Sequence, residues 1–215
     1  MAALSTGQVQ ELLEAVVPSS EHVTVLGALA ADCLPIEMHD GVLYAFALAE
    51  PRRTCVLDVH KKYCFVLNTD VGGEPGMHWL AFFYDGSVRG RMLEYFDSYG
   101  MDIEWYPNVH NAIIAHGLRH VCVKVNRLPL QSITSEVCGQ YSIVFLAWRA
   151  RHSAESMRLF MLDLCRRGKT ADARDHIILT TLGSLVSRVI SRSTPAKVQH
   201  NQTCTCHSSL FKAAR

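Results

Sequence analysis

Apolar residues at Val9, Leu12, Leu13, Val16 and Val17 recur at helical spacing behind Ser5, which has Gln8 three positions on. This pattern predicts a short amphipathic helix opened by a capping box and ended by Pro18. Residues 23–66 are dense in Val, Leu, Tyr, Phe and Cys, and Pro35, Asp40-Gly41 and Pro51 interrupt them, which predicts short strands and turns. The pattern then sharpens into a strand over 63–67, a Gly-rich loop over 71–76, a strand over 78–84, a turn at Asp85-Gly86 and a returning strand over 91–96. Three neighbouring strands in this order would bring His78 and Asp97 to the same sheet edge. Further on, the spacing predicts a helix over 108–118, a strand over 120–125 and a polar loop over 131–137 that runs into an apolar helix over 138–150. Cys138 therefore falls at a helix start. Two more helices follow over 154–166 and 174–190, the second with Ile178, Leu182, Leu185 and Val189 on one face. The fold class implied is α+β, a small mixed central sheet flanked by helices. Residues 1–190 form one domain and 191–215 a polar, flexible tail.

Composition narrows the class. A chain of 215 residues that is 49% hydrophobic can bury one sizeable core. Its longest apolar runs are broken by Ser, Thr or Gly and fall short of the roughly 20 residues a membrane span needs, so no membrane partner is expected. Residues 1–10 lack the basic region, apolar run and small-residue site of a secretory signal. Eight irregularly spaced cysteines then fit free thiols in a reducing compartment better than a disulfide framework. Charge is split along the chain: residues 1–146 hold 9 Lys/Arg against 16 Asp/Glu, and 147–215 hold 12 against 4.

The chemistry most readily built from these residues is nucleophilic. A thiol attacks a carbonyl as the thiolate, and a helix start or a cationic neighbour brings a Cys down from its ordinary pKa of about 8.5. Cys138 has such a position, and Gly139 after it would leave room for a substrate backbone and for backbone N–H donors. His78, oriented by Asp97, would be the base. Trp79 could cover the imidazolium with its ring. Gln131, seven residues before Cys138, could point its amide at the developing oxyanion. Taken singly, a buried Cys or a strand His is far more often simply core.

The ordered set Phe65-Val66-Leu67-Asn68-Thr69-Asp70, Gly76-Met77-His78-Trp79, Tyr95-Phe96-Asp97-Ser98-Tyr99-Gly100 and Gln131-Ser132 to Val137-Cys138-Gly139 changes that balance. Together these motifs resemble the adenain family, the adenovirus-type maturation cysteine proteases, with the ubiquitin-like-protein proteases as distant relatives. The resemblance implies His78 as general base, Cys138 as nucleophile, Gln131 as oxyanion donor and Asp97 as the orienting acid, where the adenoviral enzymes usually carry Glu. It further implies an endopeptidase that cuts viral precursor polypeptides at small-residue, Gly-containing sites in the host nucleus and virion, as a monomer and without a required cofactor. Stimulation by DNA and by a short viral peptide belongs to the same implication. Cys122 would link that peptide, and Arg149, Arg151, Arg158, Arg166, Arg167 and Lys169 would be the DNA contacts. The alternative is a protease that processes ubiquitin-like proteins. Cys204, Cys206 and His207, and the pair His60 and Cys64, do not assemble into two regular ligand pairs, so no metal is expected.

Overall fold

The computed structural model describes residues 3–17, 20, 22–40, 42–47, 50–58, 60–87 and 92–193. Helix α1 (Thr6–Val16) opens with the expected reciprocal cap: the Ser5 side chain accepts from the Gln8 amide, and the Gln8 side chain accepts from the Ser5 amide. Strands β1 (Val23–Leu29), β2 (Ile36–His39), β3 (Val42–Ala47), β4 (Glu50–Val56), β5 (Lys62–Asn68), β6 (Trp79–Asp85) and β7 (Leu93–Phe96) follow. After them come α2 (Pro107–Ala115), β8 (Cys122–Lys124), α3 (Cys138–Arg149), α4 (Ala154–Arg167) and α5 (Ala171–Ser193).

A five-stranded mixed sheet, ordered β1-β5-β6-β7-β8, forms the centre, and β2-β3-β4 make a separate antiparallel sheet. Strands β5 and β6 are buried on both faces, which is why they read as nearly continuous apolar runs instead of alternating ones. The two-residue period still assigns their side chains. Cys64, Val66, Trp79, Ala81 and Phe83 face a core with α1, α3, α4 and α5. Tyr63, Phe65, Leu67, Leu80, Phe82 and Tyr84 face a second core with α2 and the β2-β3 hairpin. Helix α3 runs through the first core with every residue buried except Trp148, so it has no polar face. Within that core, the guanidinium of Arg149 bonds both oxygens of Glu94 at 2.7 and 2.8 Å and lies over the Phe83 ring.

Helix α5 departs from the sequence reading at both ends. Helix α5 begins near Thr170, whose hydroxyl accepts from the Ala173 amide, and it continues through Ser191–Ser193, so the first residues assigned to the tail are helical. Residues 194–215, with Cys204, Cys206 and His207, lie outside the described residues, as do Pro18, Gly41 and Arg91. Among the described residues, no helix is long and apolar enough to cross a membrane.

Candidate active site

The antiparallel pairing of β6 with β7 puts Ala81 opposite Phe96, so the residue just before β6 and the residue just after β7 meet at one end of the sheet. These are His78 and Asp97, and the imidazole Nε2 lies 2.6 Å from Asp97 Oδ1. Asp97 is completely buried and fully committed. Its Oδ1 also accepts from the Tyr99 amide at 3.0 Å, while Oδ2 accepts from the Met101 amide at 2.7 Å and the Tyr106 hydroxyl at 2.9 Å. The carboxylate thus organises its own turn, as Asx side chains do. Asn126 holds the backbone of Asp97 from outside, accepting from its N–H and donating to its carbonyl. Gly100 closes the turn at φ +69°, where an added Cβ would meet the backbone of Leu128 at 2.9 Å.

Opposite this turn, Cys138 is the first residue of α3 and is 5% exposed. No side chain caps the helix, which leaves the N–H groups of its first turn available and the positive end of the helix dipole at the sulfur. His78 Nδ1 is buried without a conventional hydrogen-bond partner, and the Cys138 thiol is the titratable group that interacts with the imidazole from this side. Burial opposes charge on His78, but its hydrogen bond to Asp97 and the hydrogen-bonding and charge interactions with Cys138 outweigh it. The imidazole is pushed from 6.5 up to about 9. At neutral pH it is therefore a cation.

Two rings stack on that imidazole: Tyr99 at 4.7 Å and Tyr106 at 5.5 Å between centroids. They take the place expected for Trp79, and this is a correction. As the first residue of β6, Trp79 turns to the opposite side from Leu80, into the core under α1, where its Nε1–H donates to the Leu4 carbonyl at 3.1 Å. Gly139 is corrected as well. A Cβ there would lie 3.3 Å from atoms of Leu4, Trp79 and Val9, so its missing side chain admits the packing of α1 and Trp79 against α3 and leaves no opening for substrate.

Gln131 is 2% exposed and rigidly held. Its Oε1 accepts from the Ser98 hydroxyl at 2.7 Å, and its Nε2 donates to the Ser135 carbonyl at 2.7 Å and to the Tyr99 hydroxyl at 3.3 Å. Tyr99 therefore touches both the imidazole and the amide, and it feels the charge of Cys138. Burial is the main reason its phenol is raised above the ordinary range, with Cys138 and Asp97 adding to it. The loop carrying Gln131 is braced by α5. Arg174 donates to the carbonyls of Leu130, Pro129 and Gly168, and buried Asp175 accepts from the Ser132 amide and the Tyr141 hydroxyl.

Sequence reading gave no role in the site to Ser98, Tyr99, Tyr106, Asn126 or Asp175. Ser98 and Tyr99 stand inside the motif around Asp97, whereas nothing in the spacing marks Tyr106, Asn126 or Asp175. Arg149, expected at a DNA surface, is buried in its pair with Glu94, so that assignment is corrected. Arg151 donates to the carbonyls of Ala147 and Val16, Arg158 pairs with Glu155, and Arg166 and Arg167 share Asp163. Lys169 is exposed at the α4–α5 corner. Cys122 lies on the edge strand β8, and burial, with Glu104 adding to it, pushes its thiol up to about 12, the opposite of what rapid disulfide exchange needs. Cys64 is wholly buried, and the described residues hold no cluster of three metal-ligating side chains.

Residues 50–175 match the family model described as adenovirus endoprotease. Among solved structures, the ASFV pS273R protease aligns at 24% identity and a TM-score of 0.33, over 53% of this chain and 42% of that one. ChlaDub1 from Chlamydia trachomatis aligns at 15% identity and a TM-score of 0.39, over 63% of this chain and 65% of that one. The chain thus spans less than two thirds of the length of either. No curated protein matches at a significant level. With its family model matched over more than half its length, the chain belongs to the adenovirus endoprotease family, a family of cysteine-type peptidases.

Proposed function

We propose that the protein is a cysteine endopeptidase in which Cys138 is the nucleophile, His78 the general base and acid, and Asp97 the group that fixes the imidazole. The observation that carries this reading is the buried 2.6 Å bond between His78 Nε2 and Asp97 Oδ1, with Nδ1 left unpartnered and the Cys138 thiol the titratable group acting on the imidazole. An imidazolium held this way supplies the positive charge that a thiolate nucleophile requires. In the first step, sulfur attacks the scissile carbonyl and the carbonyl oxygen becomes an oxyanion, received by the free first-turn N–H groups of α3. The Nε2–H of Gln131 now spent on the longer Tyr99 contact is the one able to turn to that oxyanion. His78 protonates the departing amine, leaving a thioester on Cys138. Water, deprotonated by His78, then releases the acid and restores the thiolate beside the imidazolium.

The proposed substrates are precursor polypeptides of a virus or virus-like element, cut next to small residues, in keeping with family membership. DNA stimulation would then act on the α4 side through Arg158, Arg166, Arg167 and Lys169. The test is cleavage of a precursor-derived peptide library, and labelling by an irreversible thiol alkylator mapped over all cysteines, with wild type and Cys138→Ala. Selective labelling at Cys138 and loss of cleavage in the variant are expected. Equal cleavage by the two proteins would remove the nucleophile assignment, and labelling by a ubiquitin-like Gly-Gly probe would move the substrate to the processing of ubiquitin-like proteins.

A further inference from the structure

Three loops adjoin the His78, Asp97 and Cys138 positions, and each carries a carboxylate and an exposed apolar side chain. The loop before β6 carries Glu74 and Met77, the turn after β7 carries Glu104 and Trp105, and the loop before α3 carries Ile133 and Glu136. Met77, Trp105 and Ile133 are 83%, 68% and 88% exposed, far more than side chains of this kind usually are. With Asp70 and Asp102 added, these segments hold five acids besides Asp97 and no Lys or Arg at all. The cations beside these segments are already engaged: Lys124 is bonded to Asp102 and to the Gly100 carbonyl, and Arg174 to the carbonyls of Leu130, Pro129 and Gly168. At the centre sits the 6%-exposed His78, with its Nδ1 unpartnered on the Cys138 side.

One side-chain chemistry uses both members of each pair. Lys and Arg lay an apolar stem along a hydrophobic surface and hold the charged head beyond it, so an apolar residue next to a carboxylate receives them at both ends. At Trp105 the ring face adds a cation–π contact. An extended polypeptide presents successive side chains to opposite sides, which would let several such residues engage different loops while the backbone passes Cys138. The arrangement repels Asp and Glu by the same charges.

Resting on the protease reading above, we infer that the cleft selects basic polypeptide segments, with Lys or Arg seated on the Glu74/Met77, Glu104/Trp105 and Ile133/Glu136 pairs. The test is digestion of a mixed-sequence peptide library by the full chain, with products sequenced by mass spectrometry and active enzyme titrated by alkylation of Cys138. Wild type is expected to cut peptides with basic flanks about tenfold faster than acidic ones at low salt, the preference shrinking at about 0.5 M salt as screening sets in. The double variant Glu74→Lys/Glu104→Lys, altered only at exposed positions, is expected to label normally and to lose or invert the preference. Trp105→Ser should weaken it by about threefold, the size of an exposed cation–π contact. Cleavage indifferent to flanking charge, or a preference that the double variant leaves intact, would overturn the inference while the protease stands. Absence of both labelling and cleavage in wild type would remove the protease itself.

Discussion

Replacing Asp97 by Asn is the sharpest probe of the site, because the carboxylate accepts four hydrogen bonds and donates none. An Asn must place its NH2 on one side or the other. Facing the Met101 amide and the Tyr106 hydroxyl, it opposes donors with a donor and leaves buried groups unpaired, each at about 1–3 kcal/mol. Facing His78 instead, it donates to Nε2 and forces the proton onto Nδ1, which then cannot accept a proton from the thiol. The imidazole also loses its main support. Its rise from 6.5 to about 9 amounts to roughly 3 kcal/mol in favour of the cation, and the Asp97 hydrogen bond is the first of the causes that raise it. Turnover should fall by about 10² to 10⁴. The assay is the pH dependence of peptide cleavage and of Cys138 alkylation. In wild type, the limb that reports loss of the imidazolium is expected near pH 9, and in Asp97→Asn it should move down by two units or more or vanish. Stability carries the same signature. A raised folded-state value means that the stabilisation is complete below about 6.5 and is lost as pH climbs through about 9, so wild type should weaken over that window and the variant should not. An Asp97→Asn protein that keeps the limb near pH 9 and cleaves within threefold of wild type would refute this account.

Gln131→Ala should lower kcat by about 10² to 10³ with little change in KM, and Ser98→Ala, which frees the Gln131 carbonyl oxygen, should lower it by about tenfold; steady-state kinetics with both variants checks this. Asp175→Ala leaves the Ser132 amide without its buried acceptor and the Tyr141 hydroxyl with the Leu130 carbonyl alone, so Tm should drop by about 5 °C in calorimetry and kcat should fall with it as the Gln131 loop loosens. Glu94→Ala strands the buried Arg149 charge and should cost about 3–5 kcal/mol in denaturant unfolding, whereas exchanging Arg158 for Ala on the surface should leave the unfolding midpoint unchanged.

Much of this organisation could be read from the chain. The α1 cap, the strand pair around the Gly-rich loop and the start of α3 at Cys138 each rest on signals within a few residues, and the structure has all of them. With one strand read to end before Asp97 and another to begin at His78, antiparallel pairing brings the two residues to one end of the sheet. Spacing could not reveal which aromatic covers the imidazole. Alternation along β6 sends Trp79 to the α1 side, and the stacking falls to Tyr99 and Tyr106, which arrive from a turn whose path depends on three bonds to one carboxylate. Arg149 misled for a related reason. Counting charges along the chain treats every Arg as surface, and only packing shows that this one is buried against Glu94 and Phe83.

Local sequence, then, determined where the elements lie, which residues could carry acyl-transfer chemistry and which family their order resembles, because caps, periods and motifs act over a few residues. Tertiary structure decided what those residues touch: the unpartnered Nδ1, the occupied amide of Gln131, the packing role of Gly139 and the acid-and-apolar loops beside the site. Those properties arise from segments tens of residues apart being pressed together by two cores, and burial, charge and hydrogen-bond completion exist only once they are.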